Sequence, residues 1–201
     1  LRAACQLLKD RYCHDDVTVG LSLAGALTPA GLGPSAIIPL MNHGFVDWIT
    51  ATGANMYHDL HFAFNLPMFR GSHTVDDTDL REKGVTRIYD ILFDYEDVLM
   101  ETDRILRKIM VRPEFQKEMG TREFYHHLGK VLDEYEKKNG LGEVSILAAA
   151  YRNGIPVFTS SPGDSTIGMN VAGLELLAEA AGLLDKFKLK INPSIDVNDS
   201  T

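Results

Sequence analysis

Cysteine is scarce in this chain, at two in 201 residues, and both, Cys5 and Cys13, sit close to the N-terminal end. That placement excludes a disulfide framework, and neither residue belongs to a paired metal-ligand spacing, so free or buried thiols are expected. No apolar run approaches the roughly 20 residues that span a bilayer. Leu1 is not followed by the basic, apolar and small-residue pattern of a secretory signal. A soluble, cytoplasmic protein is the expectation, with no membrane partner. Basic residues are also in deficit, since 20 Lys and Arg stand against 28 Asp and Glu, a formal charge of −8. A nucleic-acid groove needs the opposite balance, whereas cationic small molecules suit an acidic surface.

What is present is enough apolar content, 45%, for one well-buried core, and a single domain is expected. Short β-branched runs alternate with helix-period segments. That alternation predicts an α/β, Rossmann-like fold, a mostly parallel sheet with helices on both faces. Strands are predicted over Val17 to Leu23, Val46 to Thr52 and Ile155 to Thr159, with Val85 to Phe93 mixing strand propensity and polar residues. Helices are predicted over Ala3 to Leu8, Ile37 to Met41 behind Pro34, Tyr95 to Met110, Thr121 to Lys138 and Glu143 to Arg152, and from Thr166 to about Ala181. Asn153-Gly154 supplies a C-terminal stop. The polar string Asp196 to Thr201 reads as the end of an excised portion.

Three strand ends carry small or polar residues: Gly25 to Gly33, Thr52 to Asn55, and Ser160 to Thr166. In an open α/β sheet such loops and helix N-termini lie at the carboxyl edge, where free N–H groups receive anionic phosphates. Together they suggest a dinucleotide site, although Gly25, Gly31 and Gly33 do not have the G-x-G-x-x-G spacing and a plain strand-to-helix turn is the simpler reading of that loop alone. His58 and His61, three apart on a helix, have a spacing that can chelate a metal, yet no third ligand is evident and a hydrogen-bonded pair is the preferred reading. No metal is expected. His126 and His127 read as surface residues. Gly163-Asp164-Ser165 has the form of an esterase nucleophile, but all seven histidines precede residue 128, so the base of that chemistry would have to come before the serine or from sequence beyond residue 201, and a hydrolase is not the preferred reading.

Asp79-Leu80-Arg81-Glu82-Lys83-Gly84-Val85-Thr86-Arg87-Ile88 is similar to the E-L-R-x-N-G-x-N-R-I of deoxyhypusine synthases. Val46-Asp47 leading to Thr52 resembles that family's V-D-x-x-V-T-T-A-G-G, and Leu128-Gly129-Lys130 adds to the match. Ile155-Pro156-Val157-Phe158, followed by Asp164 and Gly168, resembles its I-P-V-F and D-G-S-x-G-D. The order and spacing agree from about Val17 to Asn198.

The resemblance implies NAD-dependent transfer of an aminobutyl group from spermidine to an amine, putrescine or a protein lysine, by a homotetramer. It further implies that Gly25, Ala26, Leu27, Thr28, Pro29, Thr52, Gly53, Ala54 and His58 line the NAD site and that Asp164 contacts the cofactor. The alternative for Asp164 is a cap for the helix that follows it. The family's two glutamates serving ribose and polyamine are here Tyr57 and His58, and its second loop aspartate is Met169. Those substitutions resemble a divergent branch of the family, some members of which form homospermidine, with Tyr57, His58 and Met169 at the substrate. The family's imine-forming lysine has no counterpart in residues 1–201, so the chain alone is expected not to complete the reaction. A non-catalytic NAD or polyamine binder of the same fold is the rival reading.

Overall fold

The computed structural model describes residues 1–14, 16–160 and 162–172. Its centre is a parallel sheet in the order β1 (Gly20–Leu23), β2 (Trp48–Ala51), β6 (Val157–Thr159). The register aligns Leu23 with Ala51 and Ala51 with Thr159, so all three strands stop at one edge. Loop residues 24–32, 52, 160 and 162–165 therefore lie side by side at that edge. Asp47 sets the start of β1 against β2, because its carboxylate accepts from the Val19 amide at 2.6 Å and its own amide donates to the Val19 carbonyl at 2.9 Å. The strands are shorter than the β-branched runs, since residues 17–19 lie before the first sheet pairing.

Helices α2 (Ile38–Asn42), α3 (Gly53–Ala63), α6 (Thr121–Asn139) and α7 (Ile146–Asn153) pack with the sheet. Ile49, Leu60, Leu128, Leu132, Ile146 and Leu147 are almost fully removed from water, each burial contributing roughly 1.5 to 3 kcal/mol before the entropy of ordering is counted. Gly129 lets α6 lie against α7, for a side chain there would strike the Leu147 carbonyl. Gly140 and Gly154 end α6 and α7 in the left-handed region, as the Asn-Gly signal predicts. The helix expected from Glu143 starts only at Ile146, because the amides of Val144 and Ser145 are held by Glu136 at 2.9 and 2.7 Å and Ser145 is the N-cap.

The stretch Val85 to Phe93 resolves into a second, antiparallel sheet that the sequence reading does not separate from the first. Its order is β3 (Phe69–Arg70), β5 (Ile91–Asp94), β4 (Val85–Ile88), with α4 (Asp77–Glu82) leading into it. Arg87 forks onto Asp77 at 2.8 and 3.0 Å and donates to the Tyr89 carbonyl at 2.8 Å, which ties α4 to the hairpin turn. The predicted helix from Tyr95 to Met110 is a π-helical stretch, Tyr95–Met100, running into α5 (Glu101–Met110). Helix α1 (Arg2–Arg11) buries no residue, and Cys5 and Cys13 are free and exposed. Residues 166–172 are helical, and the remainder of the helix expected to reach Ala181 lies outside the described residues. Among the described residues no helix is long and apolar enough to cross a membrane.

Candidate functional site

The common strand edge draws the predicted loops together. Thr52 donates its amide to the Leu23 carbonyl at 3.1 Å. Asn55, fully buried on α3, accepts from the Thr28 hydroxyl at 3.1 Å and donates to the Thr52 hydroxyl at 3.0 Å. Asn55 thus pins the glycine loop to the start of α3. Thr28 and Pro29 are buried, Leu27, Thr52 and Ala54 partly so, and Gly25 and Ala26 are exposed. Gly25 has φ +72 and open space around it, a left-handed conformation that a side chain would strain. The Gly25 and Ala26 amides have no partner among the described residues and are available to an anion.

Asp164 closes the third side. Its Oδ2 accepts from the Gly53 amide at 2.8 Å, so the first N–H of α3 is held by this carboxylate and not left for a phosphate. Asp164 caps α3, not the helix following its own loop. Gly53 permits that approach, because a Cβ there would collide with Asp164 Oδ1 and the Ser165 hydroxyl. Loop amides without a partner among the described residues, together with an exposed carboxylate, are a donor and acceptor set of the kind that fits a dinucleotide.

Further along α3, Tyr57, His58 and His61 meet α5. Tyr57 donates its hydroxyl to Asp103 Oδ1 at 2.8 Å, with the Leu99 carbonyl oxygen at 3.2 Å. Burial first, and then the bond to Asp103, push the Tyr57 phenol far above its ordinary value. His58 Nδ1 lies 3.0 Å from His61 Nε2, and His61 Nδ1 lies 2.8 Å from the Thr102 hydroxyl. The rings of Tyr57, His58, His61 and Phe93 contact edge-on or tilted. Burial holds His58 down at about 4, and burial with the neighbouring His58 holds His61 at about 3, so both are neutral near pH 7. The histidine pair is hydrogen-bonded, and among the described residues no group of three His, Cys, Asp or Glu is placed to hold a metal.

Asp103, Thr102, Asn55 and Arg107 escape a sequence reading. Asp103 is only 8% exposed and has no ion-pair partner among the described residues. It returns a carboxylate to the neighbourhood of Tyr57, where the resemblance had implied that one was lost. The signal for it was a Thr-Asp pair on an otherwise apolar stripe of the helix predicted from Tyr95. Arg107, one turn on, donates to Asn170 at 2.7 Å and so links α5 to the helix after Asp164. Met169, next to Asn170, is 67% exposed. His126 is exposed and His127 partly buried.

Two concavities lie elsewhere. One of about 550 Å³ is lined by Asp77, Arg81, Arg87 and Tyr95, and another of about 470 Å³ by Arg122, His126, Tyr151 and Pro156. Neither contains the strand-edge loops. The strand edge combines amides without a partner among the described residues, a left-handed glycine and a carboxylate, and we take it as the site on that chemistry.

Comparison with known proteins accords with this geometry. The deoxyhypusine synthase family model matches residues 1–199. The chain is 50% identical over 200 residues to a deoxyhypusine synthase-like protein of Nostoc punctiforme, spanning all of this chain and 49% of that one. It is 34% identical over 206 residues to a Methanosarcina mazei protein named "Probable deoxyhypusine synthase 2", spanning all of this chain and 53% of the other. The chain spans about half the length of the curated relatives it matches. A crystal structure assigned as a deoxyhypusine synthase from Entamoeba histolytica superposes with a TM-score of 0.52 at 16% identity, over 89% of this chain and 57% of that one. At that identity the likeness concerns the fold.

Proposed function

The chain belongs to the deoxyhypusine synthase family, and on that premise we propose that the full-length protein transfers an aminobutyl group from spermidine to an amine acceptor, using NAD. The observation that carries this reading is the convergence of three loops at one strand edge, with Asp164 on the Gly53 amide and the Gly25 and Ala26 amides open. NAD, when bound, supplies a hydride acceptor. The chain's own residues bind and orient it. Gly25 and Ala26 donate to the pyrophosphate, and Leu27, Thr28, Pro29, Thr52 and Ala54 shape the loop walls. Asp164 Oδ1 accepts from a hydroxyl, and His58 lies one turn beyond Ala54 on the same stripe of α3.

For the substrate, Tyr57 and His58 present neutral groups in place of two carboxylates, and Met169 offers no charge. A desolvated ammonium needs a charged or hydrogen-bonded partner, and the Asp103 carboxylate is already engaged by Tyr57, so the site favours a small diamine acceptor over a protein lysine. Putrescine is the proposed acceptor and homospermidine the proposed product, in a cytoplasmic homotetramer.

Full-length protein incubated with NAD and spermidine, plus either putrescine or the lysine-bearing translation factor, tests this by mass spectrometry of the products. Homospermidine is expected. Efficient modification of the factor's lysine with no homospermidine would overturn the choice of acceptor. NAD binding without any product would favour the non-catalytic reading.

A further inference from the structure

The direction of the hydrogen bonds between α5 and α3 follows from what each buried group lacks. Thr102 is fully buried, and the one side-chain partner of its hydroxyl among the described residues is His61 Nδ1, at 2.8 Å. A hydroxyl that only accepted there would leave its hydrogen unpaired, at a cost of about 1 to 3 kcal/mol. It therefore donates. His61 Nδ1 is then the acceptor nitrogen of a neutral ring, so the proton of that ring sits on Nε2. That proton points at His58 Nδ1, 3.0 Å away, which must accept it. The proton of a neutral His58 is then on Nε2, a nitrogen with no partner among the described residues on a side chain only partly buried.

Neutrality is the condition for this chain of reasoning, and the surroundings supply it. Tyr57 and Phe93 pack against the two imidazoles. The charged groups on the packed elements are Asp103, which accepts from Tyr57, Arg107, one turn further along α5, and Asp59, whose carboxylate is turned to the start of α7. No carboxylate bonds either imidazole, so nothing among the described residues offsets the cost of a buried imidazolium. Burial holds both rings in the uncharged form.

We infer that Thr102 and His61 are positioning residues of a one-way relay that fixes His58 as a neutral Nε2–H donor, and that this donor serves an oxygen acceptor on the cofactor, a ribose hydroxyl or a phosphate, and not an ammonium of the polyamine. The ligand half of this inference rests on the NAD-dependent reading above; the relay itself rests only on the geometry. An N–H presented to an ammonium would be a donor facing a donor. Facing ribose or phosphate oxygen, it makes an ordinary hydrogen bond. Of the two roles the resemblance implies for His58, at the cofactor and at the substrate, the relay selects the first, with a donor where the family has an acidic acceptor.

Long-range proton–nitrogen correlation spectra of the imidazoles in the full-length protein at pH 7 read the tautomers directly. His61 and His58 should both carry the proton on Nε2. Addition of NAD should shift the His58 Nε2 resonance, and addition of spermidine alone should not. Thr102→Val removes the only group that biases the relay, so the two tautomers of each ring should mix and NAD affinity should fall about 5-fold, the worth of one ordinary hydrogen bond. Thr102→Ser should restore both. A proton found on His61 Nδ1 in the unaltered protein would overturn the relay. A His58 Nε2 that responds to spermidine and not to NAD would overturn the ligand assignment. If the tautomers are as stated but NAD does not bind, the transferase reading fails and the ligand assignment fails with it, while the relay stands.

Discussion

Asp59 and Asp164 each aim a carboxylate at the N-terminus of a helix, in opposite surroundings. Asp59 is completely buried and accepts from the Ser145 hydroxyl at 2.6 Å, the Ile146 amide at 2.7 Å and the Leu147 amide at 3.0 Å. Ser145 in turn accepts from the Ala148 amide at 3.1 Å, so the start of α7 has no amide left over. Asp164 is exposed and accepts from one amide, that of Gly53, at 2.8 Å. The first carboxylate is sealed from water, spends both oxygens on the start of α7 and so holds α3 to α7. The second has an oxygen free and sits where three loops end. Equivalent chemistry at a helix start is structural in one place and available to a ligand in the other, and what separates them is solvent and the number of donors already spent.

Removing the buried carboxylate should have the largest effect. Asp59→Ala leaves three buried donors without an acceptor, and at about 1 to 3 kcal/mol each, partly relieved by relaxation, the loss should be about 4 kcal/mol. Urea unfolding of the full-length protein checks this. A variant within 1 kcal/mol of the parent would mean that water reaches the start of α7 and that the contrast between the two aspartates is false.

A smaller effect should appear as a pH dependence from the histidines on the same helix. Their values in the fold, about 4 for His58 and about 3 for His61, lie below the ordinary 6.5, so the unfolded chain binds more protons on acidification. Their contribution is complete well above pH 6.5 and is lost as the pH falls toward those values, by roughly 1.5 kcal/mol per histidine between pH 6.5 and 5. Asp59 acts oppositely, since burial raises it to about 6 against the pull of its donors, and protonation on acidification relieves that cost. Comparing His58→Gln with the parent cancels the Asp59 contribution. The variant should lose less stability between pH 7 and 5; an identical pH profile would show that His58 is not held neutral by the fold.

Much of the edge was legible, because strand ends advertise themselves: apolar runs stop at small residues, and parallel strands put those stops together. Gly25, Thr52 and Asp164 could be grouped on that ground before any coordinates. What could not be read was the partner across space. Nothing local to Asp164 says that it caps the helix beginning 111 residues earlier, and nothing local to Tyr57 says that Asp103 waits opposite. The boundary of α7 was misplaced for a related reason, since Glu136 takes the amides of Val144 and Ser145 from a different helix. The antiparallel sheet was blurred because strands of two and four residues carry too little alternation to separate from their turns.

The smallest stability effect, and the sharpest functional one, should come from Asp164. Its carboxylate satisfies a single amide at the exposed start of α3, and water can take that place when it is removed. An exposed cap of this kind contributes about 1 kcal/mol or less. The same carboxylate, on the reading proposed above, accepts from a cofactor hydroxyl, and a charge-assisted bond of that kind contributes about 1.5 to 3 kcal/mol. Asp164→Ala should therefore lower NAD affinity about 10-fold or more, measured by calorimetry on the full-length protein, while shifting the melting temperature by only a few degrees. Asp164→Asn retains an oxygen for the Gly53 amide and loses the charge, so it should keep the parent stability yet recover only part of the affinity. If Asp164→Ala instead kept full affinity and melted many degrees lower, Asp164 would be a scaffold residue like Asp59, and the distinction between the two carboxylates would collapse to one of exposure alone.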